Sequence, residues 1–320
     1  LGRIARIRRY FATLQVIIGL FLYVKKHFPE RKKKQQSSYL DFFPAELTRQ
    51  TNRLKTYLGI FLIFEYLFEV LTAKSLSPQA KDRSTALATL TPYFDDWTDE
   101  TEDNFDDLPT FLSTPPVIIQ TPADASAFLF SKAGFSWSPQ WQAVANAQLQ
   151  SRAQKNGQLE EYELWDLMIQ KGSSSVVLGW HVITEQAGGA GMKRCSVALG
   201  AFAQLLNDLF DVWKDREAGI STVVTRLAET DQLEPVYDRV FQTLVEEVQD
   251  LDSERAAKHK IIAFLVIGYA LGKVALKRLI RLQHQSGNQF DVHQFSRKEL
   301  VCDMAKWNNR ISFAWHLLRY

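Results

Sequence analysis

An all-α fold, one helical bundle over residues 1–320 around a central apolar cavity, is predicted by three observations. Apolar residues make up 46% of the 320-residue chain, ample for a large core. They fall in long runs of helical character, punctuated by Pro-, Gly- and Ser-rich breaks. Strand-like alternation is scarce, and the run Pro115-Pro116-Val117-Ile118-Ile119 is too isolated to build a sheet.

Residues 1–38 form a basic N-terminal segment, with ten Lys or Arg in residues 1–34 against one acid, Glu30. Within it Phe11–Val24 is apolar but shorter than the ~20 residues that span a bilayer. Ten cations interleaved with Phe11, Ile17, Ile18, Phe21 and Tyr23 suit an interfacial helix, so peripheral membrane contact through residues 1–36 is an expectation. The first break is expected over Pro29–Ser38. Gly59–Leu71 is apolar but carries Glu65 and Glu69, which favours a buried bundle helix over a membrane span. Further breaks are expected at Leu76–Pro78, Pro109–Pro122, Phe135–Pro139 and Gly188–Gly191. Ile261–Leu276 is a last apolar helix, interrupted by Gly268 and Gly272. Cys195 and Cys302 offer neither a disulfide framework nor a zinc spacing, consistent with a reducing, cytoplasmic compartment. The chain starts at Leu1, so a preceding targeting segment is left open. The net charge of +2 says little by itself; no nucleic-acid partner is expected, and a homodimer is left open.

Two acidic clusters stand out. Asp95-Asp96-Trp97-Thr98-Asp99 places Asp95 and Asp99 one helical turn apart. Residues 95–107 hold eight acids, with no base between Arg83 and Lys132, so an exposed acidic turn is the alternative there. The second cluster puts Asn207, Asp211 and Asp215 at i, i+4 and i+8, read as one face over about 12 Å of helix, with Asp208 turned away and structural. Leu205, Leu206, Leu209, Phe210, Val212 and Trp213 alternate with these acids. Carboxylates on a half-buried helix need a partner, and hard divalent cations relieve repulsion between them. Between the clusters, Lys171 ends an apolar run ahead of Gly172 and three serines, 36 residues before Asn207. Its compact ammonium suits phosphate oxygens, or it complements the helix dipole.

The two clusters resemble the aspartate-rich motif and the second metal motif of class I terpene synthases, in the isoprenoid synthase superfamily. That family's second motif reads Asn-Asp-x-x-Ser/Thr-x-x-x-Glu, with Lys before the last acid and Gly four residues after it. Asn207, Asp208, Asp211, Lys214, Asp215 and Gly219 stand in those places. Asp211 replaces the usual Ser or Thr and Asp215 the usual Glu, so oxygen ligands are kept. The run from Gln204 to Asp211 is also similar to the Gln-x-x-Asp-Asp-x-x-Asp of prenyl-elongating relatives. The resemblance covers residues 58–225 best, in a divergent branch with a shortened interval between the motifs.

The resemblance implies a class I isoprenoid synthase fold and a Mg²⁺-dependent terpene cyclase. Three Mg²⁺ ions, replaceable by Mn²⁺, would be held by Asp95, Asp96, Asp99, Asn207, Asp211 and Asp215. It further implies diphosphate contacts from Lys171, Lys214, Arg216, Arg310, Arg319 and Tyr320, the last two after the family's C-terminal Arg-Tyr pair. Its substrate would be a linear allylic prenyl diphosphate, C15 or longer, ionised to a carbocation in a dry pocket. Aromatic faces stabilise such a cation, and Phe64 and Phe202 are the named cavity residues. Prenyl transfer, by chain elongation or squalene/phytoene-type condensation, is the alternative within enzymes. It is disfavoured because Arg31-Lys32-Lys33-Lys34 lacks the glycines of a second diphosphate element. A non-catalytic helical membrane-surface module is the alternative outside them.

Overall fold

The computed structural model describes residues 2–49, 51–100, 107–155, 157, 159–184, 189–287 and 291–319. Among these residues there are fourteen α-helices and no strand, so the all-α expectation holds. The chain folds as two compact units interleaved in sequence. One, the N-terminal unit, comprises Ile17–Leu149 and Val177–Gly188. The other, the C-terminal unit, comprises Leu1–Val16, Gln150–Val176 and Gly189–Tyr320.

The N-terminal unit is built on α3 (Thr51–Thr72), α4 (Pro78–Glu100), α6 (Pro122–Lys132) and α7 (Pro139–Ser151), with α4 packed on both α3 and α6. On α3, Leu54, Leu58 and Phe61 recur at helical spacing and share a buried cluster with Leu87, Leu90 and Phe94 of α4, and Leu62 beside them is buried too. Each such side chain contributes ~1.5–3 kcal/mol relative to exposure. Trp141 of α7 closes the far side, with Phe94, Phe130 and Phe135 around it. Glu65 is buried, and it pairs with Arg31 at 3.3 Å, itself 3% exposed.

Arg31 belongs to α1 (Gly2–Ser38), which continues through Pro29 where a break was expected. A proline in a helix removes one backbone hydrogen bond and crowds the carbonyl four residues back. Pro29 and Lys25, whose carbonyl loses that bond, are both exposed. Beyond it the helix is anchored inward by Arg31 and by Gln35, whose Nε2 donates to Thr89 Oγ1 at 3.1 Å. Of the other breaks, α3 stops at Thr72, coil precedes Pro139, and the helix α9 (Ala190–Glu217) starts within Gly188–Gly191, whose first residue lies outside the described residues. Pro109–Pro122 is a break only in part: it opens inside α5 (Leu108–Ser113), where a proline in the first turn forfeits no helix hydrogen bond, and coil follows up to Pro122.

In the C-terminal unit α9 (Ala190–Glu217) is central and touches α10 (Val223–Leu227), α11 (Leu233–Gln249), α12 (Arg255–Gln285) and α13 (Arg297–Leu300). By length and hydropathy α9 and α12 could each cross a membrane, yet 56% and 50% of their apolar windows are buried within the protein, as in core helices. Helix α8 (Glu161–Thr184) crosses α9 backbone to backbone at Gly172 and Gly200. A Cβ on either glycine would overlap the other's peptide. On α12, Gly272 leaves room for the Tyr237 hydroxyl, which donates to the Tyr269 carbonyl at 3.0 Å. The next residue, Lys273, is buried and ion-paired with Glu234 at 2.5 Å and Asp238 at 2.9 Å.

The crossing has a direct test by thermal unfolding. Gly172→Ala and Gly200→Ala should each cost about 1–3 kcal/mol or more, because neither helix backbone can yield without separating the pair. Gly59→Ala on α3, where an added Cβ meets nothing within 4 Å, should instead stabilise by ~0.5–1 kcal/mol.

Candidate functional site

Helix α9 turns one acidic stripe inward. Asp208 is 4% and Asp215 9% exposed, Asp211 is half-buried between them, and Asn207 is exposed. Two turns take 7.2 residues, so Asp208 and Asp215, seven apart, return to nearly one face, whereas eight residues from Asn207 overshoot it. The inward stripe is therefore Gln204, Asp208, Asp211 and Asp215, and Asp208 is part of it rather than turned away. Leu205, Leu209 and Val212, all buried, hold that face in the unit. Gln204 Nε2 donates to Asp208 Oδ1 at 2.8 Å, and Asn207 Nδ2 to Asp211 Oδ2 at 3.3 Å.

Among the described residues, neither Asp208 nor Asp215 is ion-paired. Burial pushes the Asp208 carboxyl up to about 7, against the hydrogen bond from Gln204 and the charge of Lys171. Burial, then repulsion from Asp208 and Asp211, pushes Asp215 up to about 7 as well. Lys171 and Lys214 oppose the Asp215 shift. Lys171 reaches this stripe because Gly172, its neighbour, sits on α9 at the crossing. Lys214 lies in solvent, its side chain 78% exposed, 3.8 Å from Asp211.

The other expected cations are placed elsewhere. Arg216 bends back over Trp213 and donates to the carbonyls of Val292 at 2.9 Å and Phe295 at 2.5 Å, while pairing with Glu217. It clamps the 292–295 turn and has little left for a diphosphate. On α14 (Trp307–Arg319), Arg310 donates to the Met304 carbonyl at 3.1 Å and Arg319 stacks on Trp315 at 4.2 Å. Tyr320 lies outside the described residues.

The first cluster ends α4 in the N-terminal unit. Asp95 accepts from Tyr57 Oη at 2.6 Å, from Gln148 Nε2 at 3.1 Å and from Arg53 at 3.5 Å. Arg53 also pairs with Asp96, and Asp99 is exposed. Residues 101–106 lie outside the described residues. Arg53 and Tyr57, one turn apart on α3, were not anticipated from the sequence, since nothing local marks a partner some forty positions away. Asp95 thus has most of its acceptor capacity filled and Asp96 holds Arg53, which leaves Asp99 as the exposed acid of this cluster.

All the carboxylates here are hard oxygen donors of the kind Mg²⁺ takes. In the C-terminal unit the buried, unpaired Asp208 and Asp215 with half-buried Asp211 fit a divalent cation by charge. Among the described residues, however, no group of three or more His, Cys, Asp or Glu is already gathered as a metal cage. An apolar cleft of about 410 Å³ opens in the same unit between Trp165, Met168 and Ile169 of α8, Val197 and Ala201 of α9, and Val240 of α11. Phe202 does not line it. It is 3% exposed and packs between Tyr237 and Phe241. Phe64 is half-buried in the N-terminal unit, beside Phe68 against Leu76, Ala80 and Ile183.

Comparison with protein-family models, with curated proteins and with solved structures finds no match for this chain.

Two outcomes follow from these charges. Asp208 and Asp215 ionise near 3.9 in the unfolded chain but near 7 when folded, so the native state holds protons that the unfolded state releases. Stability from these groups is full below about pH 4, falls as pH rises to about 7, and is flat above. Melting temperatures of the Asp208→Asn and Asp215→Asn variants should fall less than the wild type's between those limits. Arg53→Met should lower stability by about 1–3 kcal/mol, since it strands Asp95 and Asp96 without their shared cation, and high salt should recover part of the loss in chemical denaturation.

Proposed function

We propose that this chain is a class I terpene synthase that ionises a linear allylic prenyl diphosphate, C15 or longer, with Mg²⁺. One observation carries the reading: Asp208, Asp211 and Asp215 form an inward stripe whose two buried members have no ion pair among the described residues, while the charge of Lys171 is felt by both. An unpaired carboxylate pair held at low dielectric is unfavourable unless it takes up protons or a cation. The order of the aspartate-rich run, Lys171 and the Asn-Asp motif along the chain supports the same reading.

In this proposal Asp208, Asp211 and Asp215 hold a divalent cation, and Asp99, exposed at the end of α4, is the acid of the first motif that would bind one. Bound Mg²⁺ would neutralise charge on the departing diphosphate. Lys171 supplies a fixed positive charge to phosphate oxygens beside the stripe. The allylic C–O bond breaks with its electron pair leaving on the diphosphate, and the organic cation ends by losing a proton or taking up water. Apolar walls delay that capture by water.

A second reading, prenyl transfer, is favoured by one contact. Gln204, Asp208 and Asp211, the residues that match the elongating enzymes' motif, all belong to the inward stripe, with Gln204 bonded to Asp208.

Incubation with allylic diphosphates of increasing length, with and without isopentenyl diphosphate, separates the two. Diphosphate and a hydrocarbon or alcohol should be released from the allylic substrate alone, and Asp211→Ala and Asp215→Ala should each lower turnover by roughly a hundredfold or more. Mg²⁺ with diphosphate should raise the wild-type melting temperature and move these variants much less. Turnover that requires isopentenyl diphosphate selects prenyl transfer. Wild-type turnover and an unchanged Mg²⁺ response in both variants would remove α9 from the reaction.

A further inference from the structure

We propose that the outward face of α1 is a docking surface for an anionic phospholipid bilayer. Ile18, Phe21 and Leu22 lie one turn apart on this face and are 49%, 63% and 57% exposed. Lys25, Lys26, Lys32 and Lys33 continue the same face towards the C-terminal end of the helix, all exposed and none ion-paired among the described residues. The stripe is therefore apolar over about one turn and cationic over roughly the two that follow.

The opposite face holds α1 to the N-terminal unit, which keeps the stripe outward. Arg31 is buried on Glu65, Lys34 pairs with Asp82, and Gln35 donates to Thr89. The basic run is thus divided: two of its members are spent on packing and two, Lys32 and Lys33, face solvent.

The chemistry of the face selects its partner. A helix lying in a bilayer interface sinks apolar side chains to the acyl boundary and sets lysines among the headgroups, and each lysine adds attraction to an anionic leaflet. Nucleic acid would satisfy the lysines but leave Ile18, Phe21 and Leu22 in water. A second copy of the stripe would bring more lysines, with Glu30 at its edge as the one acid between residues 17 and 40. Docking of this kind is independent of chemistry on α9.

The test is flotation of the full chain with phosphatidylcholine vesicles, with and without phosphatidylserine. Wild-type protein should float with the anionic vesicles at low salt, be released by high salt, and ignore the neutral ones. Lys32→Glu with Lys33→Glu, and separately Phe21→Gln with Leu22→Gln, should each weaken partitioning about tenfold or more. All four side chains are exposed, so unchanged circular dichroism and melting should accompany the loss. Three results would overturn the proposal. One is no flotation of the wild type, and another is equal flotation of both variants, which would move the contact to another apolar face such as Trp307 and Trp315 on α14. The third is a change of oligomeric state, rather than of vesicle binding, in the variants.

Discussion

Burial of charge is the constraint that orders this molecule. Five charged side chains are buried among the described residues: Arg31, Glu65, Asp208, Asp215 and Lys273. Arg31 and Glu65 answer each other, and Lys273 is answered by Glu234 and Asp238. Asp208 and Asp215 alone in this group lack an ion pair. Removing a carboxylate from water costs several kcal/mol unless something compensates. Their carboxyls compensate by holding protons up to about pH 7, a response that a bound divalent cation would replace. The functional reading rests on that contrast, since the other buried charges are answered by the protein itself.

The same contrast separates the two acidic motifs, which look alike in sequence. At Asp95 and Asp96 the fold supplies Arg53, Tyr57 and Gln148 from two other helices, so the end of α4 is a satisfied polar junction with one exposed acid, Asp99, beyond it. On α9, Lys171 opposes the shifts of both buried acids without an ion pair to either among the described residues, and Lys214, largely in solvent, pairs only with the half-buried Asp211. Close approach at Gly172 and Gly200 is what sets Lys171 there. Helix packing and electrostatics at this crossing are therefore one problem, because a side chain on either glycine would shift the ammonium as well as the helices.

Helical periodicity, composition and the breaks at Leu76–Pro78, Phe135–Pro139 and Gly188–Gly191 were legible in the chain, because each is a local property of the backbone and its neighbours. The burial of the α3 stripe was legible for the same reason. Pro29 was misread: its local cost is real, but Arg31 and Gln35 anchor the helix beyond it, and those contacts join residues 34 and 54 positions apart. Phe202 was read as a cavity wall because it adjoins the acids in sequence. Its packing against Tyr237 and Phe241 depends on α11, which no local pattern announces.

By itself the sequence determined an all-helical chain with two acidic motifs and a lysine between them, since spacing along a helix is fixed by its pitch. Tertiary structure decided which acids are answered. A cation from α3 reaches Asp95 and Asp96, a clamp on the 292–295 turn occupies Arg216, and the inward face of α9 takes Asp208 in place of Asn207. Those outcomes depend on which helix packs on which face. A salt bridge between residues forty positions apart has no signature in either residue's neighbourhood until the helices meet.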